Sequence, residues 1–576
     1  MQVKKDEIIN EIRPRTIKRL IEYSINLYPD SPVLSFFDGK PITYGELAVK
    51  IEELSKLLKA HEIRKGDKVA ILGENSPNWG ISYLSIVTMG AVTVPILPDF
   101  PQGDIENILN HSEAKILFAT KKQFDKLRYE KCGNIKKVII LDDFHIEETD
   151  FETVPFSEFI SGALKKISAI IHDIGEFTGL VSGDVDEDDL AAIIYTSGTT
   201  GMSKGVMLTH GNIVSNVNSM KEIINFQNSD KFLSLLPLSH ALECTVGFLL
   251  PLSSGSSIWY LGSVPTPSVI KKACSIVKPT AIPMVPLFIE KIFKKRVKAL
   301  LEKNKMTKII SKTPFLKKII YKKAGKAVLS FFGGNLKTIA IGGAPLASEV
   351  EEFMRVSSFP YVMGYGLTET SPLLTGEKIE ETRKGSSGYP IKDVEVKIVN
   401  ADPQTGIGEI YARGLNLMKG YYKNDNITKE VITDDGWFIT GDKGYMDSDN
   451  FLYVKGRSKN MFLGPSGENI YPEVIEEKLN EILIVEESLA IENRGDVEAL
   501  IYLDHDILEP LISGKSENDQ KKTIDNILEN IRKEANEKLP PFSRIKRCFF
   551  QSEPFTKTAT KKIKRFLYYH TELNKK

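Results

Sequence analysis

Residues 195–205 read YTSGTTGMSKG, a concentration of small, flexible and hydrogen-bonding groups behind an apolar run. Gly198, Gly201 and Gly205 leave backbone N–H groups open to close approach, while Thr196, Ser197, Thr199 and Thr200 add hydroxyl donors and Lys204 a compact positive charge. Phosphate oxygens would satisfy all of them at once. The spacing departs from the mononucleotide P-loop G-x-x-x-x-G-K-[ST], because Lys204 follows Gly201 after two residues and precedes Gly205. The bland alternative for such a stretch met alone is a surface loop.

Two further stretches suit the same kind of ligand. GGAPL at 342–346 offers the backbone of Gly343, Ala344 and Pro345 to a base edge, and GYGLTET at 364–370 offers the flat face of Tyr365 and the carboxylate of Glu369, a candidate magnesium ligand. Singly, Tyr365 also reads as core and Glu369 as a surface carboxylate. Their common position beside strand ends makes a shared site the stronger reading, since ligands of open α/β sheets sit at the carboxyl ends of strands.

The elements that would hold these loops are legible as alternation. Residues 44–61 and 79–89 carry helical periodicity; 68–72, 91–96, 190–195, 205–208, 231–236, 257–261, 337–341 and 361–364 are apolar runs of strand length. This rhythm predicts an α/β fold with largely parallel sheets. After about residue 390, short strands at 394–399, 408–412 and 451–454 separated by turn residues predict a small β-rich part. A last block from 459 contains helices near 473–482 and 518–539, two strands and a basic tail.

Composition narrows the class. A chain of 576 residues exceeds what one core usually serves, so a large domain over 1–458 and a smaller α+β domain over 459–576 are expected. Lys+Arg and Asp+Glu are both 76, which gives no global signature of a nucleic-acid binder. The four cysteines form no C-x-x-C pair and read as reduced thiols. The charged N-terminus lacks a signal-peptide core, and no apolar stretch approaches the roughly 18 residues of a membrane span. A cytoplasmic protein, in peripheral contact with a membrane at most, is the expectation. Residues 291–327 stand apart, with fourteen Lys or Arg against the single acid Glu302, interleaved with apolar residues. Such a segment reads as a helical insertion packed on the main domain, or as an amphipathic surface for an anionic membrane.

The motifs occur in the order of a known family. YTSGTTGMSKG, GGAPL, GYGLTET, DGWFITGD (435–442), GRSKNMFLGPSGENIYPEVIE (456–476) and KTATKKIKR (557–565) resemble the adenylate-forming enzymes of the acyl-CoA synthetase superfamily, and ITYGEL (42–47) and KGDKVAILGENSPNW (65–79) extend the resemblance to nearly the whole chain. The resemblance implies that a carboxylate reacts with ATP to give an acyl-adenylate, from which a thiol displaces AMP. It assigns Thr196, Ser197, Gly198, Thr199, Thr200, Gly201 and Lys204 to phosphate oxygens, with Thr196 also near the reacting groups. It assigns Gly343, Ala344, Pro345, Tyr365 and Gly366 to adenine, Thr368 to the α-phosphate and Glu369 to Mg2+. Asp442 and Arg457 would hold the ribose, Lys459 would be the hinge of the C-terminal domain, and Lys562 the lysine that bridges carboxylate and phosphate in the first step. Ser203 stands where the family often has proline, and Lys561 where glycine usually precedes the lysine; the register of Ile563, Lys564 and Arg565 favours Lys562, with Lys561 as the alternative.

LPLSHALE at 236–243 resembles long-chain fatty acyl-CoA synthetases and places His240 near an acyl pocket. No acid occurs over 232–242 to pair a substrate amine, which favours a lipid-like acid over an amino acid. Coenzyme A is the acceptor the resemblance implies. The phosphopantetheine of an acyl carrier protein is the alternative; a non-catalytic nucleotide- or membrane-binding scaffold and a luciferase-like oxidase are remoter ones.

Overall fold

The computed structural model describes residues 11–128, 131–147, 180, 184–196, 203–301, 313–464, 468–558 and 562–569. Two large sheets dominate it. In the eight-stranded sheet, Val92–Ile96, Lys68–Leu72, Ile116–Ala119 and Lys137–Ile140 run parallel, Leu190–Thr196 pairs parallel with Val92–Ile96, and antiparallel strands close both edges. In the nine-stranded sheet, Tyr361–Gly366, Thr338–Ile341, Ala281–Met284, Lys231–Ser234, Ser257–Tyr260 and Pro32–Phe36 form the parallel centre. Such strands are covered on both faces, which is why Val92–Ile96 is buried at every position and reads as a continuous apolar run.

The helices show why their sequences fold locally. Tyr44–Ala60 starts at a capping box in which Thr43 and Glu46 each accept the other's backbone N–H. Pro77–Thr88 has Ser76 as its cap and proline in its first turn, and it is buried from Trp79 to Thr88. Trp79 meets Phe248 edge-on, with ring centroids 6.4 Å apart, inside the largest apolar core.

An antiparallel four-stranded sheet follows: Val394–Val399, Gly408–Gly414, Phe438–Met446 and Leu452–Arg457. The C-terminal part has its own apolar core, built on Val485–Asn493, Asp496–Leu503 and Ile545–Gln551 with the helices Pro472–Asn480 and Glu517–Asn536. All four cysteines are free thiols, and among the described residues no helix is long and apolar enough to cross a membrane.

The basic stretch divides in two, and part of it departs from a membrane-facing reading. Lys291 pairs with Glu486 at 2.8 Å; Lys294 Nζ donates to the carbonyls of Asn480, at 2.9 Å, and Val485; Lys298 Nζ donates to the Glu481 carbonyl at 2.7 Å and to Glu349 at 2.5 Å. These three lysines face the end of helix Pro472–Asn480, where the outgoing carbonyls and the helix dipole attract cations. Residues 302–312 lie outside the described residues, and the helix Pro314–Phe331 follows them.

Candidate functional site

The hairpin of Leu190–Thr196 and Lys204–Thr209 sets Thr196 opposite Lys204 at the base of the predicted phosphate loop. Ser197, Gly198, Thr199, Thr200 and Gly201 lie outside the described residues, as does Lys561. The Lys204 ammonium stands 5.1 Å from the ring centroid of Tyr421, whose hydroxyl donates to Glu369 Oε1 at 2.9 Å. Tyr421 thus links the loop lysine to the candidate magnesium ligand. Its two-residue strand, Gly420–Tyr421, pairs at the edge beside Lys204–Thr209 and is too short to carry any periodicity, so sequence reading missed it.

The loop bearing Thr368 and Glu369 is held from three sides. Asn216 Nδ2 and Asn416 Nδ2 each donate to the carbonyls of Thr370 and Leu373, at 2.7 to 3.1 Å, and Met418 N donates to the Glu369 carbonyl at 2.9 Å. Gly366 is required here: a Cβ on it would lie 1.8 Å from the Pro372 carbonyl oxygen.

Asp442 and Arg457 face each other across two antiparallel strands. Asp442 Oδ2 accepts from the Tyr365 hydroxyl at 2.8 Å, and Oδ1 lies 3.1 Å from Arg457 Nε. Burial raises the Asp442 carboxyl, while Arg457 and Tyr365 oppose that rise. Tyr365 therefore does more than offer a ring face, because its hydroxyl orients the carboxylate expected at the ribose.

His240 accepts from the Leu242 amide at Nδ1, 3.3 Å away; burial, with Lys562 adding to it, lowers the imidazole to about 4, so it is neutral at pH 7. Behind it, Glu243 starts the π-helix Glu243–Leu249 and is fully buried. Ser234 donates to its Oε1 at 2.6 Å, its Oε2 has no partner among the described residues, and burial pushes the carboxyl up to about 8. Sequence reading noted Glu243 only as a neighbour of His240.

Lys562 is carried by a short turn in which Thr558 N donates to the Lys562 carbonyl at 2.8 Å. Arg565 anchors that turn to helix Pro472–Asn480 through Glu476. The surrounding protein and the Arg457 guanidinium lower the Lys562 ammonium, against the opposing pull of Asp442 and Glu369, although the side chain is exposed to the cavity.

A cavity of about 2560 Å³ brings these groups together. Thr196, Lys204, His240, Gly343, Ala344, Pro345, Tyr365, Gly366, Thr368, Glu369, Asp442, Arg457, Lys459 and Lys562 all line it. Part of its wall is apolar, with Met220, Ile223, Phe232, Val246 and Leu250 beyond His240. The donor set fits a nucleotide: a backbone shelf where a Cβ on Gly343 would meet only Val285, at 3.7 Å, an aromatic face beside it, a carboxylate for a diol and two lysines for phosphates.

Residues 21–422 match the family model described as AMP-binding enzyme. Long chain acyl-CoA synthetase 4 of Arabidopsis thaliana is 29% identical over 511 residues, covering 80% of this chain and 74% of that protein. Long chain acyl-CoA synthetase 3 of the same plant is 27% identical over 621 residues, covering 96% and 91%. The fold is shared with a crystal structure of the anthranilate CoA ligase AuaEII in complex with anthranoyl-AMP, at a TM-score of 0.75 and 20% identity over 96% of each chain. With a family match that spans most of the chain and the family's motif residues gathered around one cavity, the protein belongs to the AMP-binding family of adenylate-forming enzymes.

Proposed function

We propose that the protein activates a long-chain fatty acid with ATP and transfers the acyl group to the thiol of coenzyme A. The observation that carries this reading is the composition of one cavity, where cationic and carboxylate side chains for a nucleotide adjoin a wall that includes Met220, Ile223, Phe232, Val246 and Leu250.

In the first step a carboxylate oxygen of the acid attacks the α-phosphorus of ATP, the bond to the bridging oxygen breaks, and pyrophosphate leaves. Three negative groups must be brought together, and Lys562 supplies a positive charge to the meeting point from the C-terminal part. Lys204 and Thr196 hold the departing phosphates, Tyr365 and the shelf of Gly343, Ala344 and Pro345 hold the base, and Asp442 with Arg457 holds the ribose. Thr368 meets the α-phosphate. Glu369, oriented by Tyr421, would hold Mg2+, which supplies charge neutralisation at the phosphate oxygens when bound. In the second step the thiol sulfur attacks the acyl carbonyl carbon, AMP leaves, and the thiol proton passes to solvent. Lys459 is the proposed hinge between the two steps.

The long-chain reading is supported by the relatives' names, by the apolar wall and by a neutral His240, which adds no charge beside an aliphatic chain. The test is pyrophosphate release with Mg-ATP across fatty acids from short to long chains, run with coenzyme A, with holo acyl carrier protein and with neither. Release peaking at long chains, with thioester formed on coenzyme A, is the expected result. Thioester formed only on the carrier protein would move the acceptor, and release with aromatic or short acids alone would overturn the fatty-acid reading.

A further inference from the structure

The helix Pro314–Phe331 contains no acidic residue in its 18 positions. Its inward face is fixed by packing. Tyr321, Val328 and Phe331 are buried, Tyr321 meets Phe353 edge-on with centroids 5.3 Å apart, and the Arg296 guanidinium lies 4.8 Å from the centroid of Phe331. Lys317, on the flank, pairs with Glu352 at 2.8 Å.

At 3.6 residues per turn, the opposite face gathers Phe315, Lys318, Ile319, Lys322, Lys323 and Lys326. All six are exposed, Phe315 at 71% and Ile319 at 50%. Among the described residues, none of these four lysines has an ion pair or hydrogen bond. The lysines near Asn480 are committed within the molecule, so among the described residues of the basic stretch this outward face is free for something else.

We propose that this face rests on the surface of an anionic membrane, with Phe315 and Ile319 inserted at the boundary of head groups and acyl chains. The charge pattern calls for an anionic partner. Large apolar side chains standing out between the lysines favour a lipid surface over an acidic protein, because a bilayer takes up isolated apolar groups while lysine stems reach the head groups. The opposite face is locked into the protein core, so the docking face needs no rearrangement to present itself. The inference rests on this helix alone and stands apart from the identity of the acyl substrate.

The experiment is co-sedimentation of the full-length protein with phosphatidylcholine vesicles and with phosphatidylcholine–phosphatidylglycerol vesicles, at rising salt. The protein should pellet with the anionic vesicles only and be released by salt. Replacing Lys318, Lys322, Lys323 and Lys326 by Gln should weaken partitioning by roughly fivefold per lysine. A double variant, Phe315→Ser with Ile319→Ser, should weaken it while leaving the salt dependence in place. Thermal unfolding and fatty-acid-dependent ATP–pyrophosphate exchange should be unchanged in both variants. Equal pelleting with neutral vesicles, or undiminished binding by the lysine variant, would overturn the proposal. A pull-down with holo acyl carrier protein completes the test: capture of the wild type that the four-lysine variant loses, with its vesicle binding intact, would overturn the proposal and assign the face to a protein partner.

Discussion

Lys562 sits among charges of both signs, and its lowered ammonium follows from desolvation by the surrounding protein and from Arg457. Under the proposed mechanism its charge matters in the first step alone. Lys562→Ala should cut acyl-adenylate formation by about 10²- to 10³-fold, the scale of losing a positioned charge-stabilising group, yet leave thioester formation from supplied acyl-adenylate nearly unchanged. Equal loss of both half-reactions would remove the assigned role. Raising pH deprotonates the lysine, so kcat/KM for ATP, which reports the free enzyme, should fall on its alkaline side below the ordinary lysine value of about 10.4. Tyr421→Phe tests the group that sequence missed. Losing the hydroxyl bond to Glu369 should weaken the Mg-ATP response by roughly five- to tenfold, about one net hydrogen bond, measured as KM for Mg-ATP with the fold checked by its melting temperature. The motif residues were legible because glycines, hydroxyls and charges at fixed spacing mark a phosphate site. Tyr421 was not, because its partners come from remote segments and a lone tyrosine after a glycine carries no signal.

The elements were legible where burial imposes a pattern. Tyr44–Ala60, Pro77–Thr88 and the parallel strands Lys68–Leu72, Val92–Ile96, Leu190–Thr196, Lys231–Ser234, Ser257–Tyr260, Thr338–Ile341 and Tyr361–Gly366 fall within a few residues of their predicted bounds, whereas the parallel strands Pro32–Phe36, Ile116–Ala119, Lys137–Ile140 and Ala281–Met284 were missed. Strand order was not legible: Pro32–Phe36 pairs with Ser257–Tyr260 from far along the chain, a contact no local pattern records. The π-helix at Glu243 was equally hidden, since a one-residue insertion in a helix leaves the apolar content unchanged. Glu243 gives this element a measurable signature. Its carboxyl is held at about 8 when folded and titrates near 4.3 when unfolded, so between those values the folded protein binds the extra proton. Stability contributed by the protonated carboxyl is therefore full below about pH 4.3 and lost as pH rises through 8. Glu243→Gln keeps a neutral group of similar shape and should flatten this slope, so that its melting temperature gains on the wild type as pH rises from about 5 to 8. Parallel melting curves from pH 5 to 9 would show that Glu243 is ionised in the fold.

At the scale of the whole molecule, the two ends of the site reach the cavity by different routes. Thr196, Lys204, Tyr365 and Glu369 come from the two large sheets, whereas Lys562 arrives on the C-terminal part and is held there by contacts between remote segments. Lys294 and Lys298 cap the end of helix Pro472–Asn480, and Ser348 N donates to Glu477 at 3.2 Å. These contacts fix the orientation that places Lys562 near Asp442 and Glu369, and that orientation suits the proposed adenylation step. Under the proposed mechanism the second step needs the same cavity mouth for a thiol, which would require the C-terminal part to turn about the chain that joins it. Lys459 lies in the turn that follows strand Leu452–Arg457; Asn460 N and Met461 N both donate to the Arg457 carbonyl, which tethers the turn to the strand. Lys459→Pro fixes one backbone dihedral there and removes an N–H donor. If the turn is the hinge, a proline compatible with the observed orientation should spare pyrophosphate release in a single turnover and stall thioester formation, so that acyl-adenylate accumulates on the enzyme. Quenched-flow measurement of both products in one reaction separates the outcomes. An undiminished thioester rate would place the hinge elsewhere, and loss of both steps would mean that the turn supports the orientation that delivers Lys562.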